Sequence, residues 1–206
     1  SVFQFEQLSL GAFDIGMTAF DNVVAYRHGQ GPADLAGAKD FHAIMGATQI
    51  ELSFVVAPHI KSYEDLRGKS IALDALATGF AFVLYEMLAR KGLSKDDVEL
   101  VAVGATPQRW QSVKSGEHVG TLTIEPFTSV AQAAGFAALD TSSNLVHAYQ
   151  GGIVVVSQSW ARQNRQQVKA YLNAYLSALE WTLDSANNMD AQRILLENMP
   201  DIKPAV

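Results

Sequence analysis

Short strand-like runs alternate with helix-like segments along this chain of 206 residues, and few architectures accept that order. Strands joined by helical connections pair as a mainly parallel sheet with crossover helices, so the fold class is α/β. Asn22–Tyr26 has helical spacing and ends near Gly29 and Gly31, and Pro32–Lys39 is a loop. His42–Ala47 and Leu52–Ala57 are strand-like until Pro58 stops the second. The clearest middle helix carries Phe80, Val83, Leu84, Met87 and Leu88 on one face and ends at Gly92. Ser94 with Asp97 has capping-box spacing before the strand Val98–Val103. Thr106 followed by Pro107 starts a helix with Trp110 and Val113 turned inward, because a hydroxyl caps free amides and proline fits the first helical position. Val119–Ile124 is a strand, Pro126 opens a helix, and Ala137–Leu139 returns as a strand. Ile153–Val156, after Gly151 and Gly152, is too apolar for an exposed edge. In the last third, Val168, Leu172, Leu176, Leu179 and Leu183 form an apolar stripe expected to pack across the protein as core, followed by a shorter helix at Asp190–Met199.

Two stretches narrow the fold further. In Leu8–Asn22, an apolar helix face built from Val2, Phe3, Phe5 and Leu8 ends at Leu10, Gly11 turns, and Phe13–Met17 runs as a strand into the polar Thr18–Asn22. In Tyr63–Leu73, Ser62 is expected to cap a helical turn with Asp65 as its capping-box partner, Gly68 supplies a left-handed exit, and Ile71 begins a strand. The first stretch contains G-x-x-D-I-G at Gly11–Gly16 and the second D-L-R-G-K-x-I at Asp65–Ile71, in that order. Together they resemble the SsuA/THI5-like (NMT1-like) group of periplasmic solute-binding proteins of ABC importers, over most of the chain. The resemblance implies a periplasmic-binding-protein-like fold of type II, with two α/β lobes around a hinged cleft. One lobe is expected in residues 1–55 plus 152–206 and the other in 56–151, with crossings near Phe54–Pro58 and Tyr149–Gly152. It also implies a small-molecule ligand, a permease and an ATPase as partners, and a periplasmic or lipid-anchored location. The membrane enters only through the permease or a lipid anchor, and no cofactor is implied. The chain begins without Met inside an apolar helix face. In the resembling group a strand, a helix and a second strand come earlier, so an incomplete amino-terminal lobe and a signal peptide in the precursor are expected.

Composition excludes several function classes. At 49% hydrophobic and 17% charged, the chain can bury a full core. A net charge of -6 with no Lys/Arg cluster argues against nucleic acid and against an anionic membrane surface. With no cysteine, disulfides, thiolate chemistry and cysteine-ligated metals are all absent. No run reaches the roughly 20 apolar residues that span a bilayer. His28, His42, His59, His118 and His147 show no metal-site spacing, and no G-x-S-x-G, G-x-G-x-x-G or P-loop occurs.

A ligand in such a fold sits beyond the carboxyl ends of strands, where helix amino termini converge. Thr18, Asp21 and Asn22 follow the first strand, and Asp21 either meets ligand or caps the next helix. Asp74, Thr78, Gly79 and Phe80 form a turn into the middle helix that cradles an anionic group or serves as an ordinary cap. Thr106 and Arg109 lie at a third helix start, with Arg109 either pairing with ligand or lying solvated on the surface. Glu125, in the E-P pair frequent at the resembling group's cleft, accepts from a ligand amine or favours its helix dipole. Thr48, Gln49, Tyr149 and Gln150 flank the crossings, and Phe20, Phe80 and Phe127 are pocket walls or core. The expected activity is binding of a sulfonate, aromatic acid, amine or pyrimidine, with no catalytic residue and no metal. The alternatives are a THI5-like or decarboxylase-like enzyme on the same fold, and a ligand-sensing effector domain.

Overall fold

The computed structural model of the protein describes residues 2–199. Ser1 and residues 200–206, the end of the expected first lobe, lie outside the described residues. The chain opens with α1 (Val2–Ser9), β1 (Ile15–Thr18), α2 (Phe20–Arg27) and β2 (Phe41–Thr48). A second group follows: β3 (Ser53–Val56), β4 (Ser70–Leu73), α3 (Gly79–Arg90), β5 (Glu99–Ala102), α4 (Thr106–Lys114), β6 (Gly120–Thr123), α5 (Phe127–Ala133) and β7 (Ala137–Thr141). The chain then returns through β8 (Gly152–Ser157) to α6 (Gln158–Gln163), α7 (Arg165–Leu183) and α8 (Asn188–Asn198).

These strands build two sheets rather than one. The smaller has the order β1-β8-β2 and the larger β5-β4-β6-β3-β7. The expected α/β class is right, but the mainly parallel sheet is not. Only β4 pairs in parallel, with β5 and β6, whereas β3 runs antiparallel to both β6 and β7 and the small sheet is antiparallel throughout. Helical crossovers impose parallel pairing only on the strands they connect directly, and β3 and β8 enter from the other sheet. The β-branched run Ile153–Val156 is central between β1 and β2 and buried, as its lack of polar residues demands. Ser53–Val56 pairs with β6 and β7, so the first passage between sheets falls at 49–52, ahead of the expected Phe54–Pro58.

Strand periodicity sorts the core. Phe54 and Val56 point into the main cluster with Ile71, Leu73, Leu84 and Leu122, while Val55 points to the opposite face with Trp110, Phe127 and Ala131. The small sheet has its own cluster of Phe5, Leu8, Val23, Tyr26, Phe41, Ile153 and Val155. Phe3, expected on the same face as Phe5, is instead exposed and meets Phe13 edge to face.

Local signals in two turns met different fates. Ser94 and Asp97 make the full capping box, but over a single 3-10 turn. At Ser62 the box is not formed: the hydroxyl donates to Asp65, whose carboxylate also accepts from the Lys61 and Ser62 amides. Gly68 nevertheless has the left-handed φ of 66° that the exit into β4 requires.

The late apolar stripe is the main correction. None of the described residues of α7 is buried, and Leu176 and Leu183 are 47% and 75% exposed. Helical spacing reports which residues share a face, not whether that face is covered. Leu176→Ala is therefore expected to lower stability by less than about 1 kcal/mol. Chemical denaturation checks this, and a loss of 2 kcal/mol or more would restore the core reading.

Candidate functional site

Strand direction alone brings most of the candidate residues to one place. Because β4, β5 and β6 are parallel, their carboxyl ends share an edge, and α3, α4 and α5 all begin there. Pairing of Ser53 with both Thr123 and Thr141 puts the start of β3 and the end of β7 at that same edge. In the small sheet, Thr18 pairs with Ile153 and Thr48 with Gly152, so β1 and β2 end where β8 begins. The two passages between sheets therefore leave matching edges.

Those passages run side by side. The Ser142 hydroxyl accepts from the Leu52 amide at 2.9 Å, and the Ser142 amide donates to the Leu52 carbonyl at 2.8 Å. Ile50 N–H donates to Tyr149 O, and the Gln150 side-chain amide donates to Thr48 O and Gly152 O. Ser142 had no signal in the sequence, since a lone serine after a strand is unremarkable until its partner 90 residues away is known. Thr48 and Gln49 lie exposed on this crossing, with the Thr48 hydroxyl donating to Gln49 O.

The amino ends of α2 and α3 meet directly. Asn22 is buried and works on both sides, its amide nitrogen donating to the Thr18 hydroxyl at 3.1 Å and its oxygen accepting from Gly79 N–H at 3.1 Å. Thr78 caps α3: its hydroxyl accepts from Ala81 N–H and donates to Asp74 at 2.8 Å. Asp21 does not cap α2, whose N-cap position is Ala19. Its carboxylate instead accepts from the Tyr149 hydroxyl at 2.5 Å, leaving Oδ1 buried with no hydrogen-bond partner. It also lies against Gly79 so closely that a Cβ there would overlap both carboxylate oxygens, which makes glycine a requirement of the contact. Burial raises the Asp21 pKa, opposed by the hydrogen bond from Tyr149 and then by the nearby backbone amides of Asn22 and Asp21, with the Asp74 charge adding a smaller rise. Tyr149 is pushed up for the matching reasons, burial first and then the Asp21 charge.

Arg109 does not lie solvated on the surface. It is 1% exposed and donates to Thr121 Oγ1, Gly104 O, Thr106 Oγ1 and Leu122 O, using four of the five N–H groups of a guanidinium. The guanidinium also lies over the Phe80 ring, 5.7 Å from its centroid. Burial lowers its pKa, partly offset by the charge of Asp74. Thr106, expected as a cap, is the first residue of α4 and makes no capping bond, because its hydroxyl accepts from Arg109. Glu125 is exposed, precedes α5 and accepts from Ser129 N–H in the first turn of that helix. Phe20 is 48% exposed, whereas Phe127 belongs to the core.

The structure thus gathers Thr18, Asp21, Asn22, Asp74, Thr78, Gly79, Phe80 and Tyr149 at one junction, with Thr106 and Arg109 immediately behind it. Glu125, Thr48 and Gln49 show no hydrogen bond to that group among the described residues. No described cluster of three or more His, Asp or Glu residues could hold a metal ion. No described helix is long and apolar enough to cross a membrane.

A bilobed arrangement of two sheets linked by paired crossings is the fold of the periplasmic binding proteins, and solved structures bear this out. A protein of Bordetella bronchiseptica RB50 superposes with a TM-score of 0.78 at 20% identity, covering 99% of this chain and 67% of that one. The alkanesulfonate-binding protein SsuA from Xanthomonas axonopodis pv. citri, bound to MOPS, gives 0.73 at 18% identity, covering 94% and 64%. The periplasmic nitrate-binding protein NrtA from Synechocystis PCC 6803 gives 0.75 at 15% identity, covering 92% and 54%. The chain spans about two thirds of the length of these structures or less, and at such identities the likeness is one of fold. No curated protein matches the sequence. The NMT1-like family matches residues 13–196, and the chain belongs to that family.

Proposed function

We propose that this chain is the solute-binding component of an ABC importer. It works outside the cytoplasm, in the periplasm or on a lipid anchor, and hands a small organic solute to a permease driven by a separate ATPase. The lobes follow the two sheets, one built on β1, β2 and β8 and the other on β3–β7, and the solute is enclosed at the junction of α2 and α3. The observation that carries this reading is the direct meeting of Asp21 and Asn22 from the small sheet's side with Gly79 from the large sheet's side, beside two hydrogen-bonded crossings. A solute touching residues of both lobes binds the closed form more tightly than the open one, and that difference drives closure. Family membership and neighbours that bind alkanesulfonate and nitrate support a receptor of this kind.

Melting curves with sulfonates, nitrate, aromatic acids, amines and pyrimidines, each followed for turnover, test the proposal. A ligand at a hundredfold excess over its Kd adds about 2.7 kcal/mol, raising Tm by very roughly 5–10 °C for a chain of this size. A selective rise without product is expected. Conversion of the solute would favour an enzyme on the same fold, and no rise with any class would contradict the receptor.

A further inference from the structure

The amino end of α3 offers amides to an anion in principle, yet the protein engages two of the first three with its own groups. Gly79 N–H is taken by Asn22 and Ala81 N–H by Thr78. The Asp21 carboxylate is pressed against Gly79 Cα, with Asp74 close enough to add to its charge burden. The nearby cation does not compensate at the surface of the junction, because Arg109 is buried and spent on Thr106, Thr121 and two carbonyls. What the junction has in excess is acceptors: Asp21 Oδ1 is buried without a donor. A buried acceptor without a donor is rare in folded proteins and marks a place where a donor is wanted.

We propose that Asp21 is a specificity-determining residue, which bars oxyanions such as sulfonate and nitrate from the amino end of α3 and favours a solute presenting a cationic or N–H donor group there. Discrimination here is a repulsive device as much as an attractive one: an oxyanion would meet a fixed carboxylate, and an ammonium group would satisfy it. The proposal rests on the receptor reading above and sets its ligand class apart from that of the alkanesulfonate- and nitrate-binding neighbours.

The test compares the wild type with Asp21→Asn and Tyr149→Phe, titrating methanesulfonate, nitrate, methylammonium and guanidinium at constant ionic strength. Asp21→Asn keeps an acceptor for Tyr149 while removing the charge, and Tyr149→Phe removes the hydrogen bond while keeping the charge. The wild type is expected to bind the cations in preference to the anions, and Tyr149→Phe, which alters the site and changes absolute affinities, should keep the sign of that preference. Asp21→Asn should lose that preference, with a change in the anion-to-cation affinity ratio of roughly tenfold or more. Tight oxyanion binding by the wild type would overturn the proposal while leaving the receptor reading intact. So would an unchanged ratio in Asp21→Asn, or a Tyr149→Phe variant that behaves like Asp21→Asn. Absence of binding by all three proteins to every probe would count against both the proposal and the site on which it rests.

Discussion

Replacing Arg109 with alanine is expected to destabilise the protein by about 3 kcal/mol or more, because the change strips partners from several buried acceptors at once. Leu122 O lies in the middle of the large sheet, and Gly104 O and Thr106 Oγ1 sit where β5 turns into α4. The guanidinium therefore ties the start of α4 to β6, and it packs over Phe80 at the start of α3. Lysine cannot reproduce the fork, so Arg109→Lys should recover only part of the loss. Chemical denaturation reads the effect. A variant that keeps its stability and loses only affinity for solute would show that Arg109 is a ligand contact after all.

Asp21→Asn is expected to do the opposite at neutral pH, raising stability on the order of 1 kcal/mol by removing a buried, incompletely paired carboxylate. The pH dependence carries the sign. In the unfolded chain Asp21 loses its proton near the ordinary value of 3.8, whereas burial holds the proton on to higher pH in the folded chain. The folded form thus binds more protons across that window, and stability falls as pH rises through it. The contribution of a protonated Asp21 is fully present below the ordinary value and is lost as pH climbs through the raised one. Tyr149 and Asp74 are the titratable groups facing Asp21, the first donating to it and the second repelling it. Asp40 has its pKa lowered, first by the Ser157 hydroxyl, and contributes a slope of opposite sign that is common to both proteins. The two stability curves should therefore coincide in acid and separate toward neutrality, with the variant above. Curves that stay parallel would mean that Asp21 does not titrate in the folded state as its burial requires.

Local chemistry made much of the fold legible. Gly68 and Gly92 take the positive φ expected of them, Ser94 and Asp97 form their box, and Trp110 and Val113 face inward behind Pro107. Long-range pairing was less legible. A strand's own residues say that Ser53–Val56 is buried, but only its partners decide which sheet it joins and in which direction. The α7 stripe failed for a related reason, since its spacing is helical whether or not anything covers it.

The candidate site divides along the same line. Asn22, Thr78 and Gly79 were visible because strand ends and helix starts have compositional marks. The surface reading of Arg109 fails although arginine is so commonly exposed, because its burial depends on carbonyls contributed by β6 and by the turn after β5. The pairing of Asp21 with Tyr149 spans 128 residues and has no local signature at all.

The most direct test is to follow backbone amide chemical shifts while adding the solute that gives the largest melting shift. The account predicts perturbations on both sides of the junction, at Thr18, Asp21 and Asn22 together with Thr78, Gly79 and Phe80, and at Tyr149 on the crossing. Perturbations confined to one sheet, or centred on Trp110 and Lys114 away from the junction, would contradict it.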